Sequence, residues 1–348
     1  MTGVPPPGPH GGDAEVVAAA LGLDVGHVLD LSQSLNPVAP DPVAVVQRHL
    51  GAVHRYPDPR RATEALADVM GVETGRLLLT NGGAEAIGLV AGDMGGKVQE
   101  PEFSLHPRGG DALWRSNPHS PSGRLAGTDE RADVWDEAFY PLATGSWTRR
   151  DEGSVVVGSL TKLLACPGLR VGYVLGPPGD SSFLARCRRR QPAWSVNGPA
   201  VAALPELLAR VDLERWSAQI ASLRADLVAV LRHHGLVAGP SDANWVLVES
   251  PGLRARLAPR GVVVRDCTSF GLPGVFRIAV PSAAGLEQLD SALGRIEVHP
   301  GDAPLVDVPP RAAWPDSGTS VPSVPSAPTS APTTPASSRS VSTTKGHP

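Results

Sequence analysis

Lysine is almost missing from this chain. Its 348 residues include only three, Lys97, Lys162 and Lys345, so arginine supplies nearly all of the positive charge. A net charge of −4 and the lack of a basic stripe with interleaved aromatic residues exclude a general electrostatic basis for nucleic-acid binding. The densest basic run, at 186–190, is interpreted as one solvated face of a helix. Because lysine is so scarce, the one at 162 is informative.

Cysteine is also rare. Cys166, Cys187 and Cys267 lie far apart in the sequence and form no CxxC pair. Together with ten scattered histidines they supply neither the spacing of a metal site nor a disulfide framework. The sequence therefore predicts no metal ion and favours a reducing compartment.

Long apolar runs are absent. No stretch approaches the roughly 20 apolar residues that a membrane-spanning helix needs. The N-terminal MTGVPPPGPH has no charged segment followed by an apolar one, as a secretory signal would have. We therefore expect a cytoplasmic protein with no membrane segment. Large side chains become few beyond about residue 300, and such a composition cannot offset its ordering entropy, so 299–348 is predicted to be a disordered tail.

The rest of the chain alternates helical and strand patterns. RRATEALADVMG has the period of an amphipathic helix with Gly71 as its C-cap, whereas RLLLT, SVVVGSL and LRVGYVLG are short and apolar. One helical region is predicted from about 199 to 234, with three strand patterns after it. This order predicts an α/β fold with a mainly parallel sheet and a smaller α+β unit. The predicted domains are an N-terminal segment contributing to the small domain (1–45), a large domain (46–204), a C-terminal small domain (205–298) and the tail.

Lys162 follows the strand pattern SVVVGSL, where the chain turns across the edge of a sheet. The neighbouring leucines would remove water from its amine, which disfavours the ammonium form and lowers the pKa. A neutral amine can form a Schiff base with an aldehyde. Taken alone, the pattern is more typical of a lysine that reaches the surface. The motifs around it therefore decide between a surface lysine and one that forms a Schiff base.

A candidate anion site lies at NGG, 81–83, between the strand pattern RLLLT and the start of a helix. Exposed backbone N–H groups and the helix dipole would bind a phosphate there, although a tight turn that needs glycine gives the same pattern. Arg170 could add a bidentate contact, and Ser159 or Thr161 a hydroxyl group.

Asp136 and Phe103 add two further groups. Asp136 falls near the end of another apolar strand, where a buried carboxylate needs a cationic partner such as a protonated pyridine nitrogen; a loop aspartate is the alternative. Phe103, in EPEFSLH, could cover a flat ring or simply be a core residue. A lysine, a phosphate cup, an acid and an aromatic residue together are the groups that bind pyridoxal 5′-phosphate.

With these residues the chain resembles a known family, the fold-type I pyridoxal-phosphate enzymes, in the branch that contains histidinol-phosphate aminotransferase and L-threonine-O-3-phosphate decarboxylase. The stretch SLTKLLACPGLRVGY, 159–173, is similar to the lysine motif of that family. The resemblance spans about 10–295. The stretches similar to the decarboxylase side are HGG (10–12), LDLSQSLNP (29–37), RYPD (55–58), QPAWSVN (191–197) and VRDC (264–267).

The resemblance implies a role for each residue that matches a family motif. Lys162 would bind the cofactor aldehyde covalently and Asp136 would pair with the pyridinium nitrogen, so both are predicted catalytic residues. The predicted cofactor-binding residues are Gly83, Ala84, Phe103, Ser120, Asp136, Ser159, Thr161, Lys162 and Arg170, with Tyr56 reaching from the other subunit of a homodimer. The predicted substrate-binding residues are Arg277 for a carboxylate, Asn36 and Asn197 near the substrate, and Arg265 and His10 for a phosphate.

Three features depart from the family pattern. In NPHSPSG, Ser120 stands where relatives have an asparagine that binds the cofactor ring oxygen, and Phe139 stands where aminotransferases have a tyrosine. Connections between strands are also short, since Ser116 follows Phe103 by 13 positions, where relatives insert full strand–helix units. The large sheet is therefore predicted to be trimmed, with a more open active-site wall.

The predicted reaction is the decarboxylation of L-threonine O-3-phosphate to (R)-1-amino-2-propanol O-2-phosphate, a step of cobalamin biosynthesis. Which bond to the α-carbon breaks depends on which is held perpendicular to the cofactor ring, and no motif fixes that angle. A histidinol-phosphate-aminotransferase-like enzyme acting on a phosphorylated or other small amino acid, or a non-catalytic protein on the same scaffold, are the alternatives. Ser159 and Lys162 also fit the S-x-x-K pattern of penicillin-binding enzymes, but the S-D-N and K-T-G elements are missing.

Overall fold

The computed structural model describes residues 3–150 and 153–297, so the predicted tail, 299–348, lies outside the described residues. The helices of the described part are α1 (Ala14–Leu21), α2 (Val43–Arg48), α3 (Arg60–Met70), α4 (Gly82–Met94), α5 (Tyr140–Thr144), α6 (Leu160–Leu163), α7 (Ser181–Arg190), α8 (Gly198–Leu208), α9 (Leu213–His233), α10 (Leu253–Leu257) and α11 (Ala283–Leu293). Its strands are β1 (Leu29–Leu31), β2 (Leu77–Thr80), β3 (Trp114–Ser116), β4 (Val134–Asp136), β5 (Val155–Ser159), β6 (Gly172–Leu175), β7 (Trp245–Glu249), β8 (Val262–Asp266) and β9 (Val275–Ala279).

The large sheet has the strand order β2-β6-β5-β4-β3. Strands β3, β4 and β5 pair in parallel, whereas β6 is antiparallel to both of its neighbours, β2 and β5. Four of the five strands therefore run in one direction, and β6 alone runs against them. The prediction of a mainly parallel sheet is confirmed, and the carboxyl ends of the four parallel strands meet at one edge.

Helices cover both faces of this sheet because successive side chains of a strand point to opposite sides. In β2, Leu77 and Leu79 belong to a core shared with α3 and α8, whereas Leu78 belongs to a second core shared with α4 and α7. The burial of β2 is complete along its length. The arrangement is a three-layer α/β fold, as its apolar strand patterns predict.

The side of the sheet near β3 is reduced. Parallel strands are usually joined by a helical crossover, yet 117–133, between β3 and β4, contains no helix, and neither does 95–113, between α4 and β3. Strand β3 is three residues long and forms the edge. The prediction of a trimmed large sheet from the short connections is confirmed.

A second sheet has the order β1-β8-β9-β7. The N-terminal strand β1 pairs in parallel with β8, and β9 pairs antiparallel with both β8 and β7. One helix, α9, packs against both cores: Trp216 and Ile220 belong to the core of the large sheet, and Leu227 and Leu231 to that of the small sheet. The predicted domain boundaries at 45, 204 and 298 stay predictions.

The helical region predicted from about 199 to 234 is not one helix. It divides into α8 and α9 at 209–212. Asp212 causes the second start, because its carboxylate accepts a hydrogen bond from the backbone N–H of Arg215 and caps α9. The predicted helical region is therefore made of two helices.

The basic run at 186–190 lies on α7 and is more than a solvated face. Arg186 and Arg190 both form ion pairs with Asp93 of α4. Arg188 donates to the carbonyl of Leu77, and Gln191 to that of Leu79. These two side chains satisfy backbone groups along the outer edge of β2, which pairs with β6 on its other side.

Close backbone contact at Gly172 gives the first testable prediction. A Cβ atom at this position would lie 2.5 Å from the carbonyl carbon of Gly82 and 2.8 Å from the carbonyl oxygen of Gly158, and backbone cannot move aside cheaply. We expect Gly172→Ala to lower the free energy of unfolding by about 1–3 kcal/mol.

The matched control is Gly88→Ala in the middle of α4, where a Cβ atom meets nothing within 4 Å. That variant should gain about 0.5–1 kcal/mol, because alanine costs less backbone entropy in a helix. Chemical denaturation of both variants measures the difference. Equal effects of the two substitutions would contradict the packing that the structure assigns to Gly172.

Candidate active site

A cavity of about 330 Å³ lies where the carboxyl ends of β3, β4 and β5 face strands β8 and β9 of the small sheet. Most of the predicted site residues line it. They are His10, Gly83, Ala84, Phe103, Ser120, Asp136, Ser159, Thr161, Lys162, Arg170, Arg265 and Arg277.

One end of the cavity is a cup at the N-terminus of α4. Gly82 has a φ of 75°, which a side chain would disfavour, and the Arg170 guanidinium packs so closely that a Cβ there would lie 2.5 Å from it. The hydroxyl groups of Ser159 and Thr161 lie 2.8 Å apart beside the cup. Backbone N–H groups, a helix dipole, two hydroxyls and a guanidinium form a site for a dianionic phosphate.

Lys162 lies on the short helix α6, directly after β5. Its Nζ donates to the carbonyl oxygen of Gln33 at 3.2 Å. Burial, with the nearby charges of Arg277 and Arg170, lowers the pKa of Lys162 to about 8. A larger fraction of this amine is therefore neutral near physiological pH than for an ordinary lysine, and a neutral amine is the form that attacks an aldehyde.

Asp136 ends β4 and lines the cavity. Its Oδ1 accepts from the backbone N–H of Ala138 at 3.0 Å, and its Oδ2 lies 2.9 Å from His106 Nε2. The side chain of His106 is fully buried. Burial alone would lower the pKa of His106, but its hydrogen bond to Asp136 and the charges of Asp136 and Glu102 raise it. The acid is thus held from behind by a buried histidine whose pKa is raised.

His106 was not predicted from the sequence. It follows Phe103 by three residues in EPEFSLH, and the two rings meet edge to face with centroids 5.6 Å apart. The one signal that could have found it is this spacing, because a residue three positions after a ring-stacking aromatic in a tight segment reaches the same site.

Two arginines on adjacent strands line another part of the cavity. Arg265 of β8 and Arg277 of β9 are direct partners in the antiparallel register. Arg277 lies over the Trp245 ring at 4.9 Å, and its Nε is buried with no hydrogen-bond partner among the described residues. Burial lowers the pKa of Arg277 to about 10, so the group is still a cation at neutral pH.

The N-terminal segment carries His10 to the mouth of the cavity. Arg265 donates to the carbonyl oxygens of Gly8 and Pro9, which ties this segment to β8. The His10 ring lies 5.7 Å from that of Phe103. Burial and the charges of Arg265 and Lys162 lower the pKa of His10, so it is neutral near pH 7.

Three predicted site residues do not line the cavity. Asn36 donates to the carbonyl of Leu163, and Asn197 caps α8 and donates to the carbonyl of Leu169, so both amides are used inside the chain. Tyr56 is 77% exposed and stacks on Trp194 with centroids 4.4 Å apart. The predicted contacts of these residues with a ligand stay predictions.

The two residues that depart from the family pattern both line the cavity. The backbone N–H of Ser120 donates to Ser116 Oγ at 2.7 Å, which fixes the loop that presents its hydroxyl. Phe139 packs edge to face on Trp245, with centroids 4.8 Å apart. Neither residue supplies the amide or phenol found in relatives, so the hydroxyl of Ser120 is the one candidate donor at this wall.

The donor set fits pyridoxal 5′-phosphate. The cup matches a phosphate, Lys162 offers an amine with a lowered pKa to an aldehyde, and Asp136 offers a carboxylate to a ring N–H. Among the described residues, no group of His, Cys, Asp and Glu is arranged to hold a metal ion.

Comparisons with known proteins agree with this site. The family model described as "Aminotransferase class I and II" matches residues 106–296. The chain is 30% identical to threonine-phosphate decarboxylase of Salmonella typhimurium, over 82% of this chain and 96% of that protein. It is 29% identical to histidinol-phosphate aminotransferase of Symbiobacterium thermophilum, over 82% of this chain and 95% of that protein.

A solved structure also matches the fold. Histidinol-phosphate aminotransferase from Sinorhizobium meliloti, in complex with pyridoxal-5′-phosphate, superposes with a TM-score of 0.66. The match covers 80% of this chain and 93% of that one, at 17% identity.

The chain belongs to the aminotransferase class I and II family. It is an enzyme of that family, with pyridoxal 5′-phosphate as its cofactor and a fold-type I architecture. This membership confirms the resemblance drawn from the motifs, and it contradicts the penicillin-binding and non-catalytic alternatives. No helix in the described part of the chain is both long and apolar enough to cross a membrane.

Covalent capture of the cofactor tests the assignment of Lys162. We expect Lys162→Ala to abolish borohydride-dependent attachment of pyridoxal 5′-phosphate, measured by the mass of the reduced protein. Lys97→Ala is the control, since Lys97 is exposed and lies outside the cavity. Attachment that persists in Lys162→Ala at the wild-type level would show that another amine binds the aldehyde.

The lowered pKa gives a pH dependence. Since the neutral amine reacts, the rate of capture by the cofactor-free enzyme should rise with pH to half of its maximum near pH 8, where half of Lys162 is neutral, and level off above that pH. An ordinary lysine would continue to gain rate up to about pH 10.4. Stopped-flow absorbance between pH 6 and 10 measures the midpoint, and a midpoint near 10 would contradict the burial of this amine.

Proposed function

We propose that the enzyme decarboxylates L-threonine O-3-phosphate to (R)-1-amino-2-propanol O-2-phosphate, a step of cobalamin biosynthesis. The single observation that carries the proposal is the in-register pair Arg265 and Arg277 beside Lys162. Like charges placed directly opposite each other in a sheet are destabilising. Such a pair is therefore suited to a substrate that brings two anionic groups, and threonine phosphate carries a carboxylate and a phosphate.

The charge balance of the cavity supports a doubly anionic substrate. Lys162, Arg170, Arg265 and Arg277 line it, whereas the one carboxylate of its lining, Asp136, is already hydrogen-bonded to His106. The cofactor phosphate neutralises the cup near Arg170. The two arginines on β8 and β9 then still lack an anionic partner among the described residues.

The size of the cavity supports a small substrate. A volume of about 330 Å³ lies at the small end of ligand pockets, which span roughly 300–1,000 Å³. The cofactor takes a large share of it. What is left suits the four-carbon threonine phosphate better than a substrate with an additional imidazole ring, which favours the decarboxylase over the aminotransferase alternative.

The residues of the chain would act through orientation. When bound, the cofactor supplies an electron sink that stabilises the negative charge left on the α-carbon as a bond breaks. Arg277 would hold the substrate carboxylate, and Arg265 with His10 would hold the phosphate, so the two ends of the substrate are fixed. Fixing both ends selects which bond of the α-carbon is perpendicular to the ring.

Lys162 would also handle the proton. Once released from the aldehyde, its amine is in the cavity with a pKa of about 8, so it can carry a proton to the α-carbon at neutral pH. Asp136, backed by His106, would keep the ring nitrogen protonated throughout.

We further propose that the enzyme is a homodimer in which Tyr56 contacts the cofactor of the other subunit. Tyr56 and Trp194 form an exposed aromatic pair, and Val53 is 61% exposed nearby in the sequence, which is unusual for a surface without a partner. The three free cysteines are buried, which supports a cytoplasmic location.

One assay separates the reactions. Holoenzyme is incubated with threonine phosphate, with and without 2-oxoglutarate as acceptor, and products are measured by NMR. We expect aminopropanol phosphate and carbon dioxide without any acceptor. Acceptor-dependent loss of the amino group without carbon dioxide would instead support the aminotransferase alternative.

The arginine pair predicts a pattern among variants. Arg277→Gln should raise KM for threonine phosphate strongly, by a factor that corresponds to roughly 2–5 kcal/mol for a lost buried charge pair. Arg265→Gln should weaken the binding of threonine phosphate but leave inhibition by phosphate-free threonine nearly unchanged. If both variants weaken the binding of both ligands equally, the assignment of the carboxylate to Arg277 and of the phosphate to Arg265 is wrong.

A further inference from the structure

A second buried acid lies behind His106, on the side away from Asp136. Glu102 is 3% exposed and contributes nothing to the lining of the cavity. Its Oε1 lies 3.9 Å from His106 Nδ1, while His106 Nε2 faces Asp136 at 2.9 Å. Glu102, His106 and Asp136 therefore form a row that ends at the cavity wall. Neither the predicted roles nor the proposed reaction uses Glu102.

The hydrogen bonds of Glu102 define its charge. Oε1 accepts from the backbone N–H of Phe103 at 3.0 Å and from the hydroxyl of Ser116, and Oε2 accepts from the backbone N–H of Ser116 at 3.0 Å. All three bonds are donated to Glu102, and an ionised carboxylate is the form that only accepts. Glu102 is an anion in a site with almost no access to water.

The charge of Glu102 then fixes the protons of His106. Nδ1 is buried and makes no hydrogen bond, and an unprotonated Nδ1 would point its lone pair at the Glu102 carboxylate. A proton on Nδ1 turns that repulsion into attraction. Nε2 must carry a proton as well, since it faces a carboxylate oxygen of Asp136. Both nitrogens are thus protonated.

The other groups around His106 do not change the conclusion that both ring nitrogens carry a proton. Phe103 and Trp114 contact the ring as aromatics, with centroids 5.6 and 5.5 Å away. Arg108, on the same segment, donates to the backbone carbonyl of His106 and is a cation that opposes the imidazolium. Glu102 and Asp136 are the two anions that face the ring, and together they outweigh this one cation.

We propose that Glu102 is a positioning residue that keeps His106 doubly protonated, so that Asp136 retains its full negative charge toward the cofactor ring. With Glu102 ionised, the row of two carboxylates and one imidazolium carries one net negative charge. If Glu102 lost its charge while His106 stayed an imidazolium, the row would carry no net charge, because the imidazolium would cancel the charge of Asp136; loss of the Nδ1 proton would be needed to restore one negative charge. The inference rests on the cofactor and does not depend on which substrate bond breaks.

The test uses Glu102→Gln, which keeps the shape and removes the charge. Histidine labelled with ¹⁵N in the holoenzyme reports the protonation of His106, assigned by the signal that His106→Asn removes. We expect the pKa of His106 to be about one unit or more lower in Glu102→Gln than in the wild type, as loss of a near opposite charge predicts. A pKa of His106 that is the same in the two proteins overturns the inference.

Affinity for the cofactor gives an independent readout. Titration of the cofactor-free protein with pyridoxal 5′-phosphate should show roughly tenfold weaker binding in Glu102→Gln, equivalent to about one pKa unit of lost interaction. In a His106→Asn background the same substitution should change affinity less than about twofold, since Glu102 acts through His106. Equal losses in both backgrounds would show a merely structural role and overturn the inference.

Two further variants keep the result interpretable. Glu100→Gln removes an equal charge two residues away, from an exposed side chain paired with Arg108, and should leave the His106 signal unchanged. Should Glu102→Gln not fold, Glu102→Asp retains the charge and should retain the pKa of His106; a pKa of His106 that is lower by about one unit or more in Glu102→Asp overturns the inference. An intact imidazolium together with no turnover of threonine phosphate would contradict the proposed substrate alone.

Discussion

Positive charge buried without matching acid is the constraint on which this structure depends. Lys162 and two buried guanidinium groups, those of Arg265 and Arg277, share a cavity whose single lining carboxylate is already hydrogen-bonded to an imidazole. Buried charges are tolerated when partners compensate them, so the folded chain is completed by anions that it does not itself contain. A phosphorylated cofactor supplies the first, and the substrate that we propose, with a carboxylate and a phosphate, would supply the others. The chemistry of the enzyme follows from this deficit of negative charge.

The two sheets position different residues of the cavity. The large sheet places the cup, Lys162 and Asp136 together because four of its strands end at the same edge. The contact of Gly172 with Gly82 brings the start of the antiparallel strand β6 close to the cup, so that the preceding Arg170 reaches it. The small sheet presents Arg265 and Arg277 from two adjacent strands. The helices missing near β3 contribute neither to the residues that the large sheet places nor to the two arginines of the small sheet. A trimmed sheet is therefore compatible with an intact site.

The sequence was most informative where chemistry is local. Lys162, its Pro-Gly-Leu-Arg turn and the glycines before α4 form short motifs, and the apolar runs predicted most strands. The break between α8 and α9 was not predicted, because periodicity continues across it and a single Asp212 cap decides it. His106 and Glu102 were missed since their roles depend on Asp136, 30 residues away from His106, and on Ser116, which only the folded register brings near. Long-range proximity without periodicity leaves no local pattern.

The side chains of Arg188 and Gln191, at the outer edge of β2, affect how readily the protein would aggregate at high concentration. An open strand edge can recruit a strand from another molecule and start aggregation. Arg188 and Gln191 occupy the outward carbonyls of Leu77 and Leu79, and the opposite border of the sheet, β3, offers only three residues. The sheet therefore presents no long free ladder at either border, and it achieves this with two long polar side chains rather than with an additional strand.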